Sequence, residues 1–354
     1  MNHRAFRHTL PSCVAAIGLF AVTSSTPAFA NNQHGGQLCT LGSSGVGQQG
    51  TVICTDVTTG ATTQSVPVGD TVSGPGGIAG SLTHRGRRVL VTNQTQCALL
   101  FELTGGQLSS PVTLQTGGEG SLSGALSDRG AYVLTGTHLL FFPLGELAAT
   151  SSQALLKADG SAAQVTLAGG HAYVSEKSGS LEAFALARDG DLVGGATPVA
   201  GVPAGVIVGI TGVGDLVVSP IAHLASNTGQ STIPVVNGLS VAQVVPTKEV
   251  AACWAASDGD EACVTNPGSM TVSCGHLGSS AFTSYTSAAA SLSGDTLLDI
   301  DMTDASVGIL GKSNGAPVLF AFSRMDQRGD FLSSTSQFPV GTVIAVGAML
   351  LPAM

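Results

Sequence analysis

Two short apolar runs separated by a polar loop recur six times along this chain, at about 40 to 50 residues per repeat. The segments HRGRRVLVTNQTQCALLFELTGGQL (84–108), SDRGAYVLTGTHLLFFPLGEL (127–147), AGGHAYVSEKSGSLEAFALARDGDL (168–192), GVGDLVVSPIAHLASNTG (212–229), SDGDEACVTNPGSMTVSCGHL (257–277) and TDASVGILGKSNGAPVLFAFSRMDQRGDFL (303–332) align on a Gly or Asp turn ahead of the first run. A further apolar run precedes each segment (IAGSLT, LSGAL, AQVTLA, VIVGIT, AACWAA, TLLDID), and another, such as SPVTLQT, follows. Four strands in a unit of this length are expected of a β-propeller blade.

The two ends complete the pattern. GGQLCTLGSSGVGQQGTVICTDVTTGATTQSVPVG supplies the second to fourth strands of a unit, and VIAVGAML near the C-terminus supplies a lone first strand. Joined, they make a seventh, composite blade that closes the ring and leaves no sheet edge open. The expectation is an all-β, seven-bladed β-propeller formed by residues 31–354 as a single domain. Composition agrees: 48 glycines and 10% charged residues, with β-branched and turn-forming types abundant.

Residues 1–30 read as a signal peptide. Arg4 and Arg7 precede the apolar core CVAAIGLFAV, and Ala28-Phe29-Ala30 gives a small-x-small cleavage site, so the mature chain is expected to start at Asn31 in the periplasm or the medium. Neither this core nor the apolar C-terminus is long enough for a good membrane span. Removing Arg4 and Arg7 takes the formal charge from -9 to -11, and the mature chain has no basic cluster. Nucleic acid and anionic lipid are therefore excluded as partners, and a monomer with a small-molecule or protein ligand on a propeller face is expected.

Cys13 leaves with the leader, and Cys39, Cys54, Cys97, Cys253, Cys263 and Cys274 remain. An even number in an exported chain suggests disulfides. The repeat puts Cys39 and Cys54 on the second and third strands of the composite blade, and Cys263 and Cys274 on the same strands of another, so each pair can bridge neighbours. Cys97 and Cys253 fall in blades that are not adjacent. No CxxC occurs, and His84, His138, His171 and His276 are scattered without HxH or HExxH spacing, so no metal and no cofactor is expected. Asp299, Asp301 and Asp304 in LLDIDMTDAS fit alternation along a first strand and its turn. GVGQQG (45–50) matches GxGxxG but lacks a following helix, and the GxSxG elbow of serine hydrolases is absent.

YVSEKSGSLEAFALARDGDL, EVAACWAASDGDEACVTNPGSMTVSCGHL and GGIAGSLTHRGRRVLVTN resemble the seven-bladed propellers of the lactonase family, which are similar to 6-phosphogluconolactonase and to fungal carboxymuconate lactonizing enzymes. The resemblance spans the mature chain and implies hydrolysis of a lactone or related ester. The family's Asn-rich turn after the second strand survives here only as Asn93, Asn266 and Asn314.

In a propeller the loops joining second to third and fourth to first strands share one face. Those second-to-third loops are almost uncharged, so Glu176, Lys177, His223 and Lys312 stand out. Ester hydrolysis needs a base for water and donors for the oxyanion. Glu176 or His223 is the candidate base, with Lys177, Lys312, Asn93, Asn266 and Asn314 as candidate substrate-binding groups. Each also has a plainer reading, as a solvated loop charge or a turn-forming Asn. The alternative function is a propeller that binds a protein, glycan or small ligand and catalyses nothing. A carboxymuconate-type cycloisomerase would need cations converging on its substrate, whereas Arg85, Arg87, Arg88 and Arg129 are assigned to the opposite face.

Overall fold

A computed structural model describes residues 36–43, 47–71, 80–223, 230–324, 332–340 and 344–351. The segment expected to be a leader (1–30) and most of the loop after His223 (224–229) lie outside the described residues. The chain is all-β, with seven antiparallel sheets arranged as a seven-bladed propeller. In the simplest blade, the third, strands Ala162–Ala168, His171–Glu176, Ser180–Leu186 and Leu192–Pro198 pair in sequence order from the centre outward.

The composite blade forms as the repeat requires. Gln37–Ser43 pairs on one side with Gln49–Asp56 and on the other with the C-terminal strand Ile344–Leu351. A register shift between Thr40 and Leu41 leaves Gly347 as a bulged residue with φ of 69°. Gly347 abuts Ser81 so closely that any side chain would overlap its Oγ, so this position needs glycine for both backbone conformation and space.

Blade four departs from the regular pattern. Its two inner strands are each broken, into Val206–Ile207 and Thr211–Val213, and into Leu216–Val218 and Ile221–Ala222. Pro220 falls in the second break; having no N–H, it cannot continue the ladder.

Apolar faces of successive blades pack on one another. Tyr132, Leu134 and Phe141 of blade two, for example, share a buried cluster with Val165, Val174 and Phe184 of blade three. Polar ties add direction. The repeated AYV of blades two and three places Tyr132 and Tyr173 at equivalent positions. The first donates its hydroxyl to Gly190 O (2.7 Å) and the second to Gly238 O (2.9 Å), each in the outer hairpin of the next blade.

Around the axis, the inner strands are joined by side chains. Ser123 Oγ accepts from Val165 N (3.3 Å) and Gln164 Oε1 from Ile210 N (2.7 Å). At the ring closure, Asp299 Oδ2 accepts from Ala348 N (3.0 Å) and Asp301 Oδ2 from Leu350 N (2.8 Å). Alternation does put Asp299 and Asp301 on one side of their strand; that side faces the composite blade, where they hold the C-terminal strand. Burial, reinforced by the charge of Asp301, pushes the Asp299 carboxyl up to about 7 against the hydrogen bonds it accepts.

Both anticipated disulfides are present, Cys39–Cys54 and Cys263–Cys274, each joining directly opposed residues of adjacent strands. Cys97 and Cys253 stand outside these bridges as thiols.

Candidate functional site

Glu176 ends the second strand of blade three and is fully buried. Its Oε2 accepts from Ser161 Oγ (2.6 Å), while Oε1 is buried without a hydrogen bond. Burial pushes this carboxyl up to about 7; the charges of Glu182 and Asp159 add to the effect and the Ser161 bond opposes it. Glu182 accepts from the backbone N–H groups of Leu156 (2.9 Å) and Lys157 (3.2 Å), so the two carboxyls together anchor segment 155–161. Lys177 is exposed, and its backbone N–H joins the same segment at Ser161 O (2.8 Å).

The other expected site residues are dispersed. His223, at the end of the broken strand in blade four, is half-buried, with Nε2 2.9 Å from Thr232 Oγ1. Lys312 lies on the second strand of blade six, opposite Thr296 and Pro317. Asn314 and Gly315, both at positive φ (51° and 76°), form the two-residue turn that follows, where Asn-Gly is the favoured pair. Asn93 is buried at positive φ (64°). Asn266 is buried too, donating from Nδ2 to Thr271 Oγ1 (3.1 Å) and Ser273 Oγ (2.9 Å).

A central channel of about 630 Å³ runs among the first strands, with Gln164, Thr211, Ser257, Asp299 and Asp301 in its wall. None of the seven residues singled out from the sequence lines it.

A second cavity, of about 300 Å³, lies between blades one and two and is bordered by Gln115, Thr116, Glu119, Thr135, His138, Leu140 and Ser152. Glu119 comes from the fourth-to-first loop, Thr137 from the second-to-third loop, and Thr135 and His138 from the strand ends that flank that loop, so two connections of the same face meet here. Glu119 Oε2 is 2.5 Å from Thr135 Oγ1, and its two oxygens are 2.6 and 2.7 Å from Thr137 Oγ1. Thr137 Oγ1 is also 2.6 Å from His138 Nδ1, which lies 3.4 Å from Glu119 Oε1. Burial works against ionisation of Glu119, but the two threonine hydroxyls and His138 outweigh it and hold the carboxyl below its ordinary value.

Proton positions in this cluster follow from its chemistry. An ionised carboxylate only accepts, so the single hydroxyl proton of Thr137 points to Glu119. Thr137 Oγ1 must then accept from His138 Nδ1–H, so that in the neutral ring the lone pair is on Nε2. Nε2 makes no hydrogen bond among the described residues, and the His138 side chain is 40% exposed. The sequence reading set His138 aside for lack of metal spacing and passed over Glu119. His138 nevertheless borders the second-to-third loop of its blade, the position that drew attention to Glu176 and His223, and Glu119 lies in a fourth-to-first loop of the same face.

No family model and no curated protein matches this chain. Solved structures resemble it in fold. A 6-phosphogluconolactonase candidate from Bacteroides fragilis superposes with a TM-score of 0.61 at 14% identity, over 92% of this chain and 100% of that one. The apo structure of AztD from Citrobacter koseri gives 0.53 at 10%, over 90% and 99%. The computationally designed Ika8 gives 0.53 at 12%, over 86% and 87%.

Proposed function

We propose that this protein is an exported hydrolase of lactones or related esters, with His138 as its catalytic base and Glu119 acting through Thr137 as a positioning residue. The observation that carries this reading is the one-way chain from His138 Nδ1 through Thr137 to Glu119, which in the neutral ring leaves Nε2 as a lone-pair nitrogen beside a cavity. The neighbour from Bacteroides fragilis, a lactonase candidate on the same fold, and the resemblance seen in the sequence support the same class of reaction. Export is supported by two disulfides, which persist in oxidising compartments, and by the leader expected at residues 1–30.

The reaction needs no other redox or group-transfer partner. His138 Nε2 takes a proton from water as the water oxygen bonds to the substrate carbonyl carbon. The side-chain amide of Gln115, on the same cavity wall, supplies a donor for the oxyanion. Collapse of the tetrahedral intermediate breaks the ring C–O bond, and the proton on Nε2 passes to the departing alkoxide, giving a hydroxy acid.

Turnover of δ-valerolactone tests this. His138→Gln is expected to lower kcat by about 100-fold or more, the span of a lost general base. Glu119→Gln is expected to lower kcat with KM unchanged, and Glu119→Asp to restore part of it. Full activity in His138→Gln removes the base and the proposal with it. The polar central channel favours one other reading, a propeller that binds a small ligand there without converting it. That reading gains if δ-valerolactone is untouched.

A further inference from the structure

We infer that the substrate of this site is a small uncharged lactone and that phosphorylated sugar lactones are rejected; this rests on the hydrolase reading above. Recognition of a phosphate calls for Arg, Lys or a cluster of N–H donors, which match its charge and oxygen geometry. Among the described residues the cavity wall holds neither Arg nor Lys: its residues are Gln115, Thr116, Gly117, Glu119, Thr135, His138, Leu140, Ala149 and Ser152, and its fixed charge is the Glu119 carboxylate.

Described cations of blades one to three are committed elsewhere. Arg85 pairs with Asp128 (2.8 Å) and Arg88 donates to Ser127 O (2.7 Å), both at the hairpins of the opposite face. Lys157 Nζ is hydrogen-bonded to Ser178 Oγ (3.0 Å), between the loops of blade three. A phosphoryl group in this cavity would thus meet a negative charge and no positive one. Size points the same way. At about 300 Å³ the cavity is at the small end of ligand sites, enough for a single ring with short substituents. Leu140 and Ala149 give it an apolar patch that suits ring carbons.

The test is a matched pair, glucono-δ-lactone and its 6-phosphate, which differ in the phosphoryl group alone. Hydrolysis is followed with the full mature chain, and His138→Gln serves as the background for spontaneous opening. The neutral lactone is expected to show a kcat/KM on the order of 100-fold above the phosphorylated one, the scale set by an unpaired like-charge contact. Ser152→Lys, an exposed position on the cavity wall, is expected to narrow that ratio by improving use of the phosphorylated lactone. Equal or better turnover of the phosphorylated lactone by the unmodified protein overturns the substrate assignment while leaving the hydrolase reading in place. Turnover of neither lactone above the His138→Gln background overturns the hydrolase reading itself.

Discussion

At the scale of single residues, two glutamates on the loop face of the propeller, one ending a second strand and one in a fourth-to-first loop, behave differently. Glu176 is enclosed and holds a loop; Glu119 is partly exposed and holds a histidine. Their carboxyls shift in opposite directions because Glu176 is buried with one oxygen unsatisfied, whereas Glu119 accepts from two hydroxyls. The consequence for Glu176 is measurable. Its folded-state value is raised from 4.5 to about 7, so the folded protein binds the proton more tightly and loses stability as pH rises through that interval. Melting temperatures of the wild type and Glu176→Gln between pH 4 and 8 are expected to diverge in the variant's favour as pH increases. A constant difference would mean that Glu176 does not titrate in this window. Tyr132 makes a separate contribution: Tyr132→Phe keeps the ring but leaves Gly190 O without its donor, for an expected loss of about 1 kcal/mol in denaturant unfolding.

At the scale of strands and hairpins, much was legible from the sequence. Alternating apolar runs bounded by Gly and Asp marked the strands, and opposed positions in the repeat marked the disulfides. The broken inner strands of blade four were less visible. SPIAH reads as part of the second-to-third loop, yet Ile221–Ala222 resumes pairing beyond Pro220, which lacks the N–H that would make the strand continuous. The positive φ of Asn93 and Asn314 likewise gives these residues a conformational role that an Asn-rich loop pattern does not distinguish from ligand binding. For the cysteines, peptide mapping without reduction is expected to recover Cys39–Cys54 and Cys263–Cys274. Cys97 is buried and burial pushes the Cys253 thiol up to about 12, so both should be alkylated only after unfolding. Modification of either in the native protein would contradict their placement.

For the whole molecule, ring closure by the two chain ends was also legible, since a first strand without partners and three strands without a first can only complete each other. The proposed site was not, because it is a product of packing between blades. Glu119 and His138 are 19 positions apart in sequence order, counted through one loop and one hairpin, and no short motif links them. Their meeting depends on blade two's hairpin rising against the loop from blade one, and the direction of the proton chain depends on Thr137 standing between them. Glu176 attracted attention because charge is rare in this protein, but rarity does not distinguish a buried anchor from an open base. The most direct measurement is chemical rescue at His138: His138→Gly assayed on δ-valerolactone with and without free imidazole. If Nε2 activates water beside this cavity, the variant is inactive alone and regains turnover in proportion to added imidazole, above the rate imidazole gives without protein. A His138→Gly protein as active as the wild type, with no response to imidazole, would contradict it.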